Sequence, residues 1–509
     1  MKNLLILILL ILFLIQSISC HHNRLKTNEK ELAKEISSEE KEKKEAERIA
    51  LENQVQDTLA NIRSGFQYKE DRSVDPAHPP VVIDFSQEIP VRELKLRYIA
   101  SKVSYMVLQV PDDSIYFLWG SRLNFTPNSI IINNNLGIHR FGRDGRYIEP
   151  ICRNTFNAPR KIDPDKPFSG FFPKETFRGA WSNHVQTAGN TVFYKYTDYL
   201  AEKVSLVKFF SGSNSRNISL PQSSETDSLD TYSRGKVIAT GKESVKIRTT
   251  GLASTNILPV SENCYAGIFS GLDAFEKNKP LMVTFNLNGD TLCKFKKYEY
   301  LKTSITSTVI RSYSNSTWHF GQITTIKWAF NDTVFRIIPP NRLVPVYVFK
   351  FGELKVTAEE WLHVNIPLDR KVIINEILEN QRFLFIDYSN YIPGNKYSKW
   401  EKALFDKSNN ELYHVVLNDE RKNKMYDYGA PDKRWAGGFE NDIDGGFPFW
   451  PSDITPEGKL ALALRPEYLK RFIQNSDYKS GTDPQKKAFT TFVQSLKTGG
   501  CESVIMIIE

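Results

Sequence analysis

The chain has 509 residues, of which 40% are hydrophobic, 25% charged and 12% aromatic, and it carries a formal net charge of +8. This is a globular composition, which excludes wholesale disorder, collagen and coiled coil. The long apolar run is confined to the N-terminus, which excludes a multi-spanning membrane protein.

Lys2 precedes an unbroken apolar run of 12 residues, 4–15. At about 1.5 Å per residue it is too short for a bilayer core of about 30 Å, and it reads as the hydrophobic region of a signal peptide, residues 1–19. Gln16-Ser17-Ile18-Ser19-Cys20 resembles a lipobox, with Ser17 where Leu is commonest. That assigns Cys20 as a lipid-attachment site, and two or three acyl chains there would hold the mature chain on a membrane. Residues 20–66 form a charged stretch without Pro, in which Leu51, Val55, Leu59 and Ile62 recur at helical spacing; a helical tether is expected, with a flexible solvated tether the alternative over residues 21–45. Residues 67–82 contain Asp75-Pro76 and His78-Pro79-Pro80, which break a helix and mark a linker.

From residue 83 onward, short runs rich in β-branched and aromatic residues alternate with Gly, Asn, Asp and Ser turns. Strands are expected at 114–118, 129–132, 191–196, 281–287, 334–338, 344–349 and 383–388. Two short helices are expected at 466–473 and 484–496, and a last strand at 504–508. The 22 Tyr and 32 Phe agree with β structure. A degenerate repeat of strand, tight turn and returning strand is visible at Asp144-Gly145 and Asn288-Gly289, dipeptides suited to two-residue hairpins. With Gly145, Ser213, Gly289, Gly352 and Asn410 as markers, the steps run from 58 to 76 residues. Such spacing fits four-stranded propeller blades better than sandwich strands. It predicts an all-β, six-bladed β-propeller over residues 83–509, with seven blades as the alternative.

Four stretches carry a family resemblance: Glu93-Leu94-Lys95-Leu96 with Tyr105 to Val110; Ile138 to Ile148; Asn331 to Arg336 with Leu343 to Tyr347; and Asn441 to Pro451 with Val504 to Ile508. In order and spacing they are similar to the six-bladed β-propeller lipoproteins of Bacteroides and its relatives, the first stretch being similar to the first propeller strand. Two departures stand out. Arg153 to Pro159 replaces a Gly-rich turn, and Glu502-Ser503 replaces Asn-Pro before the last strand. The resemblance implies binding or sensing at the cell envelope, beside nutrient uptake, and no settled reaction.

Asn441-Asp442-Ile443-Asp444-Gly445-Gly446 is the densest polar cluster. Its two carboxylates and one amide fall short of the six to eight oxygens Ca²⁺ wants, so no metal is expected, and an Asx-rich turn is the simpler reading. Phe447 to Pro451 is expected either at the mouth of the propeller channel, where rings stack on sugars, or in the core where the ring closes. Asn441, Asp442, Asp444, Phe449 and Trp450 are therefore the candidate ligand-binding residues. His184, His319, His363 and His414 share no local context that would bring them to one axis. Glu359-Glu360 reads as the start of a turn or short helix, not as a glycosidase pair. Cys264 and Cys293 lie in neighbouring strands and read as buried thiols or a pair.

The expected protein is a lipid-anchored envelope propeller that binds a glycan or an envelope protein. It needs no cofactor and no nucleic acid, and it sits on the outer membrane, on the periplasmic face in preference to the cell surface. The alternative is a glycan hydrolase or lyase with its site in the central pocket.

Overall fold

A computed structural model describes residues 67–509 except 111–121, 135–136, 157–176, 189, 199–202, 211–235, 243–254, 262–263, 270–274, 276–278, 287–289, 299–300, 302–314, 322, 364–365, 392–398, 416–437, 475–477, 479–481 and 498–502. The signal peptide, Cys20, the tether and the expected 114–118 strand lie outside the described residues.

The described chain opens with β1 (Val81–Asp84), β2 (Val91–Arg92) and β3 (Val103–Leu108). Then come β4 (Arg122–Thr126), β5 (Ser129–Asn134), β6 (Gly137–Gly142) and β7 (Tyr147–Arg153), which form the first sheet. The second sheet is β8 (Thr155–Phe156), β9 (Phe177–Ala188), β10 (Thr191–Asp198), β11 (Lys203–Phe210) and β12 (Lys236–Lys242). The third is β13 (Thr255–Ser261), β14 (Cys264–Phe269), β15 (Met282–Phe285) and β16 (Thr291–Phe295). In the fourth, β17 (Ser316–Phe320), β18 (Ile323–Lys327), β19 (Thr333–Ile338) and β20 (Arg342–Lys350) are joined by β1. In the fifth, β21 (Val372–Glu379), β22 (Phe383–Asn390), β23 (Lys399–Asp406) and β24 (Glu411–Val415) are joined by β2. The sixth holds β25 (Asp453–Ile454), β26 (Leu460–Leu464), β27 (Ser503–Ile508) and β3.

The sheets follow one another in a closed series: β4 meets β9, β9 meets β13, β13 meets β18, β17 meets β21, β21 meets β25, and β25 returns to β4. The fold is therefore the expected all-β propeller. Five sheets have four strands of four or more residues each; the sixth has an innermost strand of only two. Complete blades thus number five, against the six expected. Pro451 precedes β25 and the turn at 455–459 follows it, so the strand has no room to lengthen.

Strands in the middle of a sheet are buried on both faces and read as continuous apolar runs: all six residues of β14 are buried, as are seven of eight in β22. Outer strands alternate, as β20 does through Leu343, Tyr347 and Phe349. The short helices are α1 (Ala358–Leu362), α2 (Pro466–Gln474) and α3 (Pro484–Ser495). Glu359-Glu360 does open a helix: Thr357 and Glu360 form a reciprocal capping box at the start of α1. Cys264 and Cys293 are buried free thiols.

Of the five repeat markers, Ser213 and Gly289 lie outside the described residues, and Gly145 and Asn410 fall between the third and fourth strands of a sheet. Gly352 does not. It lies in a 3-10 turn leaving the fourth sheet, whose equivalent hairpin is at Pro339-Pro340-Asn341. Gly145 is constrained twice. Its φ is +82°, and a Cβ there would lie 2.5 Å from the Val107 carbonyl oxygen. Its own carbonyl accepts from Gln109 N–H, fastening the chain beyond β3 to this hairpin. Gly145→Ala is expected to lower stability by about 1–3 kcal/mol, read as a lower denaturant midpoint at unchanged slope.

The N-terminal strands make the closure unusual. Residues 67–80 are not a free linker: Tyr68 N–H donates to Leu292 O, and Asp71 N–H to Asn341 O. β1 then adds parallel to β20, β2 adds parallel to β24, and β3 adds antiparallel to β27. The stretch expected to resemble a first propeller strand, Tyr105 to Val110, is instead the outermost strand of the last sheet. One segment thus laces the outer edges of three consecutive sheets and covers edges that would otherwise be open to pairing.

Candidate functional site at the long-loop end

The two ends of the ring differ. One end holds tight turns: 127–128, 143–146, 339–341, 380–382, 407–410 and 455–459. These meet their neighbours directly: Asn128 Nδ2 donates to Asn190, Thr284 to Pro340 O, and Arg143 to Glu457. The other end carries, among the described residues, the passage between the fourth and fifth sheets, at 351–363 and 366–371, and helices α2 and α3 between β26 and β27. Long connections on a rigid scaffold are where recognition residues accumulate.

Ala329, Phe330, Trp361, Leu362 and Leu368 form one buried cluster at this end. Under it lies Lys327, whose ammonium donates to the Trp328 and Ala329 carbonyls at 3.4 Å. Burial lowers its pKa to about 8, against the opposing pull of Asp332.

A charged row crosses the fifth sheet from its inner edge. Glu376, Asp387 and Lys402 are directly opposite one another on β21, β22 and β23, so their side chains share a face. Glu376 is exposed on the innermost strand; Asp387 and Lys402 are buried. Burial draws the Lys402 ammonium down to about 8, while Asp387 and Glu376 pull it up. Its ammonium also sits 4.7 Å from the centre of the Trp450 ring. Sequence reading missed this row because the three residues are separated in the chain and only the strand register aligns them.

The expected ligand residues are packed beside this row, where Trp450 meets Lys402. Residues 439–450 fill the wedge between the fifth and sixth sheets, with α2 and α3. Phe449 is 0% exposed and Trp450 6%; Trp450 stacks on Phe439 and meets Phe385 edge-on. Their rings are core packing and leave no face for a sugar. Asn441 is buried and its Oδ1 accepts from the Ile443 and Asp444 N–H groups, while Asp444 Oδ1 accepts from Gly446 N–H. This is the Asx-rich turn of the simpler reading. Burial raises the Asp444 pKa. Asp442 Oδ1 accepts from Arg97 N–H, and Arg97 donates to the Asp442 carbonyl, tying the turn to the N-terminal lace. His319 is on the innermost strand of the fourth sheet and His414 on the fourth strand of the fifth, so these two do not converge; the side chain of His184 lies outside the described ones. Among the described residues no group of three His, Cys, Asp or Glu side chains is placed to hold a metal, and no helix is long and apolar enough to cross a membrane.

The model of one protein family, "Domain of unknown function (DUF4933)", matches residues 63–475. The chain belongs to the DUF4933 family. The match spans the lace and the strands up to α2. Among solved structures, the DUF4933 chain is similar to a "Putative exported protein" from Bacteroides fragilis, at 13% identity and a TM-score of 0.48, covering 84% of this chain and 99% of that one. It is similar to a member of the DUF4221 family from Bacteroides vulgatus at 9% identity and a TM-score of 0.32, covering 62% and 87%. A third likeness is to an alpha-L-arabinanase from Cellvibrio cellulosa complexed with arabinohexaose, at 11% identity and a TM-score of 0.25, covering 60% and 96%. No curated protein matches.

Proposed function

We propose that this DUF4933 protein is a recognition module of the cell envelope, held on the outer membrane through acylated Cys20, that binds a glycan or an envelope protein at the long-loop end of its ring. We count the reduced sixth sheet as a sixth blade. The observation that carries the reading is the asymmetry of the two ends. Tight turns bonded to one another close one end, and the described passage at 351–363 and 366–371 stands at the other with helices α2 and α3. A propeller so built presents variable chain on a rigid frame, which suits binding without requiring chemistry. Glu376, exposed on an innermost strand, is a side chain that a ligand entering the ring would meet.

The test is a screen of the full chain against glycans and envelope extracts, with retention and product formation followed together by mass spectrometry. Hydrogen exchange then maps the bound ligand. Protection is expected at 328–332, 351–363 and 366–371, and Glu376→Gln is expected to weaken binding about 10-fold, ~1.4 kcal/mol. Protection confined to the turns at 339–341, 380–382 and 455–459 sinks the reading. A cleaved product replaces the binder with an enzyme.

A further inference from the structure

The ring closes where the first sheet meets the sixth. Leu123, Phe125, Ile130, Ile132 and Phe141 of the first sheet pack against Leu108, Ala461 and Ile505 of the sixth in one buried cluster. His139 is on the same face of the first sheet. It stands opposite Ile132 on β5 and two residues before Phe141 on β6. It is 4% exposed, and neither ring nitrogen has a hydrogen-bond partner. Its ring lies 6.2 Å from that of Tyr147, which packs against the same cluster.

The three strands of the sixth sheet whose residues pack in this cluster lack a charge; the remaining strand, β25, brings Asp453, in register with Ala461, towards β4, and Asp453 makes no hydrogen bond to either His139 nitrogen. β3 reads Val-Ser-Tyr-Met-Val-Leu, β26 Leu-Ala-Leu-Ala-Leu, and β27 Ser-Val-Ile-Met-Ile-Ile. Their titratable side chain, Tyr105, turns instead to Phe489 and Phe492. On its own sheet, Arg140 and Glu149 neighbour His139 but point to the opposite face, where they pair at 3.0 Å. Arg153 acts on His139 with the wrong sign to hold a proton there. Arg143 and Glu457 pair across the seam at the tight-turn end. An imidazolium at this position would be a buried, unpaired charge between two sheets.

We propose that His139 is an acid-sensitive release in the seam that closes the ring: protonation of its imidazole loosens the contact between the first and sixth sheets and parts the ring there. Burial, then Arg153, lowers its pKa from 6.5 to about 4. The folded chain therefore binds fewer protons than the unfolded one between those values. The seam's stability is complete above pH 6.5 and drains away as pH falls towards 4.

The experiment is hydrogen exchange of the full chain at pH 7.5 and pH 4.8, corrected for intrinsic rates, on wild type and His139→Phe. In wild type, strands Val103–Leu108 and Ser503–Ile508 are expected to exchange at least about 10-fold faster at pH 4.8, with linkage setting an upper figure of roughly 40-fold. The Phe383–Asn390 strand of the fifth sheet is expected to change less. His139→Phe, an apolar ring in an apolar seam, is expected to abolish the difference. Seam strands that open no more than Phe383–Asn390, or a folded His139→Phe chain that keeps the acid response, overturn the proposal. Should His139→Phe fail to fold, the comparison between strands in wild type decides alone.

Discussion

Removing residues 67–101 from the full chain is expected to abolish cooperative unfolding. The deletion takes Ile83, Phe85 and Leu96 out of the core, each at most 2% exposed. Phe85 lies within 5.7 Å of the ring centres of Phe349, Phe351 and Tyr388, so it joins the fourth and fifth sheets. Leu96 does the same for the fifth and sixth, packing with Phe383, Leu404 and Phe449. Deleting one such side chain costs about 2–5 kcal/mol, and three together approach the roughly 5–15 kcal/mol that stabilises a whole domain. The deletion also uncovers the outer edges of β20 and β24, which become free to pair with other chains. Loss of near-ultraviolet circular dichroism together with aggregation is the expected result. Phe85→Ala alone should cost about 3–5 kcal/mol. Val82→Ser and Val91→Ser, at exposed positions of the same lace, should cost under about 0.5 kcal/mol. A deleted chain that still melts cooperatively would show that the lace is an accessory to the ring rather than part of it.

The second large effect is expected at Glu379, the last residue of β21. Its side chain is 0% exposed and gathers four donors: Trp318 Nε1 at 2.9 Å, the Tyr347 hydroxyl at 2.7 Å, Lys407 Nζ at 3.1 Å and Arg336 at 3.3 Å. The donors come from the fourth sheet and from the turn after β23, so one carboxylate binds two sheets together. Both cations also lie on the Phe320 ring, Arg336 at 4.5 Å and Lys407 at 4.7 Å. Burial lowers the Lys407 pKa against the pull of Glu379, and burial with Glu379 raises that of Tyr347. Glu379→Ala strands two cations, a phenol and an indole N–H, at an expected cost of about 3–5 kcal/mol. Glu379→Gln keeps the shape and some of the acceptors and should cost less. Lys407→Met in the Glu379→Ala background should recover part of the loss, because it removes one stranded charge. Equal denaturation midpoints for wild type and Glu379→Ala would refute the hub.

Much of this fold is written in local sequence. Strand periodicity and aromatic content fixed the β class, and Asp144-Gly145 marked a real hairpin because a turn with positive φ selects glycine locally. The two C-terminal helices and the last strand also stand within a residue or two of their expected bounds. Proline clusters were a poorer guide. His78-Pro79-Pro80 stops a helix, but says nothing about whether extended chain will be captured by a sheet edge, which is what happens to β1. The marker at Gly352 misled for a similar reason: glycine with positive φ serves a 3-10 turn as well as a hairpin.

The site was less legible than the fold. Asn441, Asp442 and Asp444 looked like a binding cluster because they are adjacent in sequence, and proximity in sequence is equally the signature of a turn that bonds to itself. Phe449 and Trp450 revealed their size but not which wedge would swallow them. The row of Glu376, Asp387 and Lys402 and the stranded His139 have no local signal at all, since each depends on register across strands and on which sheets become neighbours. The sequence by itself determined strand, turn and helix, whose causes act over a few residues. Tertiary structure alone decided the lace, the five complete sheets with a reduced sixth, the Glu379 hub and the unpartnered His139 in the seam. Those rest on contacts between residues far apart in the chain, and backbone pairing and burial choose them only once the ring has closed.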